Sequence, residues 1–272
     1  MMMSRAFLGA GAACALLAGP LHAQGLFDSD VITAEVLPGW REDGMGHMSA
    51  IRLTLAPGWK TYWRAPGDAG IPPMFEFGAS ENLAGIAPHW PVPEIFDQNG
   101  MRSIGYETEV IIPLSLTRHD AEAPIRMRGT LHVGVCEEVC VPAQLAIDAA
   151  LPAQGGADAE IASALADRPM TEAEARVSAV TCAVTQREDG LSLTVRARMP
   201  EMGTGTEEVA IETADPTVWV AEPRVTRTGG TLTAETRLVR YDALPFAFDR
   251  SGMRMTVFGG GAAVDIRGCA AG

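Results

Sequence analysis

Basic side chains are in short supply: 21 lysines and arginines stand against 34 aspartates and glutamates, a formal net charge of -13. A surface of that sign repels phosphate backbones and anionic lipid, so nucleic-acid binding is excluded as the main function. Long apolar runs are missing as well. The clearest one, residues 6–17, falls short of the roughly 20 residues a membrane-spanning helix requires. No transmembrane segment is expected in the mature chain. The sequence has no G-x-S-x-G elbow, no H-E-x-x-H pair and no Walker-type glycine loop, which leaves a hydrolase triad, a zinc protease and a nucleotide site unsupported. No cofactor is expected. His47, His89 and His119 are scattered without ligand spacing and read as structural histidines.

What is present is ordinary globular material, 272 residues with 47% apolar and 20% charged content, enough for one large domain or two of common size. The first 23 residues have the form of a secretory signal: Arg5 gives a positive end, a short apolar run follows, and Leu21-His22-Ala23 offers a small-residue cleavage site. Export from the cytoplasm is the expectation.

Short alternating segments recur from Val31 to Leu151, such as Ser49-Ala50-Ile51-Arg52-Leu53-Thr54-Leu55 and Val110-Ile111-Ile112-Pro113-Leu114-Ser115-Leu116, divided by Pro, Gly, Asn and Asp clusters. That pattern predicts an antiparallel β-sandwich. Between residues 154 and 176 the composition shifts to helix formers around Ala159-Glu160-Ile161-Ala162, predicting a linker with one short helix. Alternation returns after Val177, in Leu191-Ser192-Leu193-Thr194-Val195 and Met253-Arg254-Met255-Thr256-Val257-Phe258. The expected fold is therefore all-β: two immunoglobulin-like sandwiches, residues 24–153 and 177–272, on either side of a helical linker. Gly259-Gly260-Gly261 opens no helix and reads as a turn.

Five cysteines occur, of which Cys14 lies inside the signal, so four remain after cleavage: Cys136, Cys140, Cys182 and Cys269. An even number in an exported chain suggests disulfides. Pairing Cys136 with Cys140 and Cys182 with Cys269 keeps each bridge inside one proposed domain. In the chain-entropy model the long loop stabilises by roughly 4.6 kcal/mol and the five-residue loop by about 2. The long bridge is thus expected to be structural and the short one to be a reversible redox pair. Two alternatives stay open: a stiffened docking hairpin, and copper or zinc bound by His132, Cys136 and Cys140, which are spaced by four. Glu137 and Glu138 stand between the sulfurs, and no cation within sequence reach would stabilise a thiolate there. Trp59 and Trp63 should share one strand face, as core, with Tyr62 on the other.

The stretch Gly58-Trp59-Lys60-Thr61-Tyr62-Trp63-Arg64-Ala65-Pro66-Gly67-Asp68-Ala69-Gly70-Ile71-Pro72-Pro73 resembles the periplasmic N-terminal region of the DsbD/ScsB family of thiol:disulfide interchange proteins. So do Trp90-Pro91-Val92-Pro93-Glu94-Ile95-Phe96-Asp97, Ile104-Gly105-Tyr106-Glu107-Thr108-Glu109-Val110 and Gly134-Val135-Cys136-Glu137-Glu138-Val139-Cys140-Val141-Pro142. The resemblance is to the ScsB-like branch. It implies an immunoglobulin-like domain whose Cys136/Cys140 pair takes electrons from a membrane-embedded donor and hands them to periplasmic oxidoreductases. Tyr62 would then lie on the aromatic strand beside the pair, and Phe96 in the loop that caps it. Full-length relatives add a membrane domain and a thioredoxin-like domain, and this sequence shows neither. A separate membrane thiol donor is implied, with thioredoxin-fold or peroxidase-type proteins as acceptors.

Overall fold

The computed structural model describes residues 31–272 apart from 69, 99, 153, 154 and 243; the signal-like segment lies outside the described residues. Ten strands come first: β1 (Ile32–Arg41), β2 (Gly46–Leu55), β3 (Lys60–Gly67), β4 (Met74–Glu76), β5 (Gly85–Pro88), β6 (Glu94–Gln98), β7 (Met101–Glu107), β8 (Glu109–Thr117), β9 (Ile125–Cys136) and β10 (Cys140–Leu151). One helix follows, α1 (Ala159–Ala166). Ten further strands complete the chain: β11 (Met170–Thr171), β12 (Ala179–Arg187), β13 (Gly190–Arg198), β14 (Glu208–Glu212), β15 (Val218–Val220), β16 (Arg224–Thr228), β17 (Thr231–Arg240), β18 (Arg254–Gly259), β19 (Ala262–Arg267) and β20 (Ala270–Ala271).

β1–β10 build two sheets, ordered β1-β2-β8-β5 and β10-β9-β3-β7-β6, with β4 also paired to β9. Alternation decides which side chains meet between them. Ile51, Leu53 and Leu55 of β2 and Ile112, Leu114 and Leu116 of β8 face Leu131, Val133 and Val135 of β9 and Leu145 and Ile147 of β10 in one core. The opposite parity of β2, Met48 and Ala50, is covered by Ile161 and Leu165 of α1. The helix is started by Asp158, whose carboxylate accepts the backbone N–H groups of Glu160 and Ile161, satisfying two donors that a helix leaves free. The linker helix is thus packed onto the first sandwich.

The remaining strands form β11-β19-β18-β14 and β15-β17-β13-β12-β20, with β16 on β17. Their core holds Cys182, Leu193, Val195, Val257 and Ile266. Two pairings depart from a purely antiparallel plan: β11 runs parallel to β19, and β20 parallel to β12. The first means that residues 170–171, inside the segment read as linker, belong to the second sandwich. The Cys182–Cys269 bridge, with Cα atoms 5.7 Å apart, ties β12 to the turn that precedes β20. Among the described residues the fold is all-β with one short helix, as the alternation implied, and the glycine triplet is the turn between β18 and β19.

The sandwiches are not independent. The β11-β19-β18-β14 sheet has a second buried face, on which Ala210, Phe258 and Ala263 join the core of the first sandwich. Phe258 meets Trp63 edge to face at 5.5 Å.

Candidate functional site

The β9–β10 hairpin pairs residue for residue along its length, ending with Cys136 opposite Cys140. The three residues between them, Glu137, Glu138 and Val139, form an exposed tip, and the two cysteines are joined, with Cα atoms 4.1 Å apart. The two cysteines differ in exposure. Cys136 is 2% exposed, whereas Cys140 is only partly covered.

β3 runs alongside and supplies the surroundings. Its Lys60 and Thr61 are in register with Cys136 and Val135, and the Thr61 hydroxyl donates to the Gly134 carbonyl at 2.9 Å. Two residues on, Tyr62 shares a face with Lys60 by strand parity. Its hydroxyl lies 2.9 Å from Sγ of Cys140 and donates to it. Burial raises the pKa of this phenol, so it remains a proton donor at neutral pH. Gly134 makes this possible: a Cβ there would come within 2.7 Å of the Tyr62 ring and of Ile71.

Lys60 is the single lysine of the chain. It stands between Cys136 of β9 and Glu107 of β7, with its ammonium 3.2 Å from the Glu107 carboxylate and 4.8 Å from the centre of the Phe96 ring. Sequence proximity offered the bridge no cation; strand pairing brings one. Phe96 lies on β6 opposite Ser103, so it is a strand residue and not part of a loop. Its ring packs under the Lys60 ammonium, and Lys60 is in register with Cys136.

His132 lies elsewhere. It faces Met74 and Gln144 across its two neighbouring strands, and Nε2 is 3.1 Å from the Glu76 carboxylate. Four residues along a strand span about 13 Å, which keeps its ring away from the sulfurs. Among the described residues no group of three or more His, Cys, Asp or Glu is placed to hold a metal ion. Trp63 is fully buried in the first core, and Trp59 packs partly buried against it.

β3 leaves regular pairing just past Tyr62. Tyr62 is in register with Gly105, yet the next paired residue, Gly67, meets Ser103. Trp63, Arg64, Ala65 and Pro66 therefore bulge out of the ladder. Gly67 closes the bulge at a φ of 84°, where a Cβ would strike the Arg102 carbonyl at 2.6 Å. From the bulge, Arg64 reaches the second sandwich: Nε lies 3.1 Å from both Glu212 carboxylate oxygens and Nη2 3.0 Å from the Thr256 hydroxyl. Arg102 of β7 does the same, with Nη1 2.9 Å from Glu208 and Nη2 3.1 Å from the Val209 carbonyl.

Residues 33–152 match the family model described as thiol:disulfide interchange protein DsbD, N-terminal. This segment is a domain of that family. The DsbD-type segment thus holds all of β1–β10 but the first residue of β1, and both cysteines of the hairpin bridge. Over 89% of its length the chain superposes on the N-terminal periplasmic domain of ScsB from Proteus mirabilis, covering 95% of that chain at 24% identity with a TM-score of 0.69. At that identity the likeness establishes a shared fold, and its span includes the second sandwich beyond the DsbD-type segment. No curated protein sequence matches the chain. Among the described residues no helix is long and apolar enough to cross a membrane.

Proposed function

We propose that the protein is a periplasmic thiol:disulfide interchange protein that relays reducing equivalents through Cys136 and Cys140. The observation that carries this reading is a disulfide at the tip of a hairpin whose more exposed cysteine, Cys140, accepts a hydrogen bond from Tyr62. A partner's thiolate attacks Sγ of Cys140, the Cys136–Cys140 bond breaks, and its electron pair leaves on Cys136. The partner's second thiolate then attacks its own sulfur in the mixed disulfide, and Cys140 leaves as a thiolate. The partner is oxidised to a disulfide, and this chain gains two electrons and two protons. With an oxidised acceptor the same steps run in reverse.

Tyr62 serves the steps in which Cys140 carries charge, because a hydrogen bond to an ionised group is about twice as strong as one to a neutral group. Lys60 is the cation nearest in register to Cys136. The membership of residues 33–152 in the DsbD family supports a membrane-embedded thiol protein as donor. It equally supports thioredoxin-fold or peroxidase-type proteins as acceptors. A copper or zinc role has little geometric support, since His132 is turned to Glu76.

The test is a glutathione titration of the purified protein, with alkylation trapping and peptide mass spectrometry following each cysteine. The Cys136–Cys140 bridge should open reversibly at potentials reached by thioredoxin-like proteins, about -270 to -120 mV, while Cys182–Cys269 stays closed. A hairpin bridge that stays closed over that range would rule out the relay and leave a stiffened docking hairpin in its place.

A further inference from the structure

The two arginine contacts converge on one strand. β14 is the edge strand of its sheet, and Glu208, Ala210 and Glu212 alternate onto a single face of it. Glu212 holds Arg64 of β3, Glu208 holds Arg102 of β7, and Ala210 between them is buried in the first core. These are the strands that order the redox site. Arg64 follows Tyr62 by two residues, inside the bulge that begins where Tyr62 leaves the ladder. Arg102 adjoins Ser103, the partner of Phe96, and is itself in register with Asp97. The clamp is built into the interior: the Arg64 and Arg102 side chains are 10% and 11% exposed. Arg64 also lies over the Trp63 ring at 3.7 Å and comes within 3.7 Å of Asp265 on β19.

We infer that the second sandwich is the positioning element of the redox site, with Glu212 and Glu208 fixing, through Arg64 and Arg102, the strands that place Tyr62 on Cys140 and Phe96 under Lys60. A bulge of four residues has no ladder of its own to fix its shape. Its shape is set by what it grips, and here it grips β14, β18 and β19. If the grip loosens, Tyr62 loses its fixed distance to Cys140 while the disulfide and its hairpin persist. In this reading the second sandwich acts on the reaction through the Tyr62 hydroxyl.

The inference rests on the exchange reading above, and the experiment separates the two. In the full chain, Glu208→Gln/Glu212→Gln, Tyr62→Phe and the triple variant are equilibrated with reduced and oxidised glutathione, and both bridges are followed by alkylation. Tyr62→Phe should change the equilibrium constant of Cys136–Cys140 by about threefold or more, the worth of one hydrogen bond. The double variant should move it in the same direction, and adding the double change to Tyr62→Phe should move it little further, since groups acting through one contact are not additive. Arg64→Gln should reproduce the shift from the opposite side, and Arg64→Lys should restore part of it. A purely structural role for β14 predicts that the Glu208→Gln/Glu212→Gln change lowers the melting temperature and leaves the constant unchanged, both in the wild type and in the Tyr62→Phe background, and that result overturns the inference. If the double variant does not fold, Glu212→Asp, which withdraws the carboxylate by one methylene, carries the same comparison. A wild-type bridge that glutathione never opens removes the exchange reading and this inference together; a wild-type bridge that opens beside unchanged variants removes the inference alone.

Discussion

Tyr62 and Cys140 lie 78 positions apart in the chain, and the contact between them exists only because β3 was drawn beside β9. Sequence reasoning could reach Tyr62 through its resemblance to an aromatic strand, and could reach the cysteines through their spacing. It could not reach Lys60, whose place opposite Cys136 is a matter of register between strands far apart in sequence. For the same reason no cation stands near the bridge in the sequence. A second residue, His47, shows how burial shifts a titration. Its ring is buried, its Nε2 donates to the Pro38 carbonyl at 2.8 Å, and burial lowers its pKa below the ordinary 6.5. The unfolded chain therefore takes up this proton more readily than the folded one. His47 leaves stability undiminished above its ordinary pKa and erodes it as pH falls through the lowered value. Urea midpoints at pH 7.5 and pH 5 should fall with acidification in the wild type, and the drop should be smaller in His47→Gln.

Two bridges of opposite character sit on two kinds of element. Cys136–Cys140 closes the end of a hairpin already paired in register over its whole length, so removing it takes away little constraint. Cys182–Cys269 spans 87 residues and closes a long loop in the unfolded chain. Replacing Cys136 or Cys140 by Ser should abolish thiol exchange and lower stability by no more than about 2 kcal/mol. Replacing Cys182 or Cys269 should lower it by roughly 4.6 kcal/mol in the same model and leave exchange intact. Chemical denaturation and a glutathione exchange assay on each variant check both halves, and equal behaviour of the two pairs would refute the division. The elements themselves were legible where alternation was strong, as in β2, β8 and β13. Phe96 was harder to place, because the short β6 has little periodicity and is recruited as a strand by pairing with β7. β11 and β20, two residues each, carry no local signal and exist through their partners.

The whole molecule is held together by a shared core as well as by charge. Phe258 belongs to the second sandwich by sequence and to the first by packing, so the two should unfold together. Calorimetry should show one transition for the wild type. Phe258→Ala, which empties about 3–5 kcal/mol of buried contact, should lower the melting temperature of both sandwiches; two separate transitions in the wild type would refute the coupling. The alternation of each strand revealed two sandwiches, but the interface between them was hidden in the sequence. Glu208, Ala210 and Glu212 look like the solvated half of an amphipathic strand, and Thr256 and Asp265 look no different. Packing of Phe258 on Trp63, together with the arrival of Arg64 and Arg102, turns that face inward.

One further property follows from the place of Lys60. Apart from the α-amine at the start of the chain, this protein has one primary amine, and strand pairing sets it beside the bridge. An amine-directed fluorophore would therefore mark a single internal position, against Phe96 and in register with Cys136. Its emission would test directly whether the disulfide opens and closes, with no cysteine sacrificed to labelling.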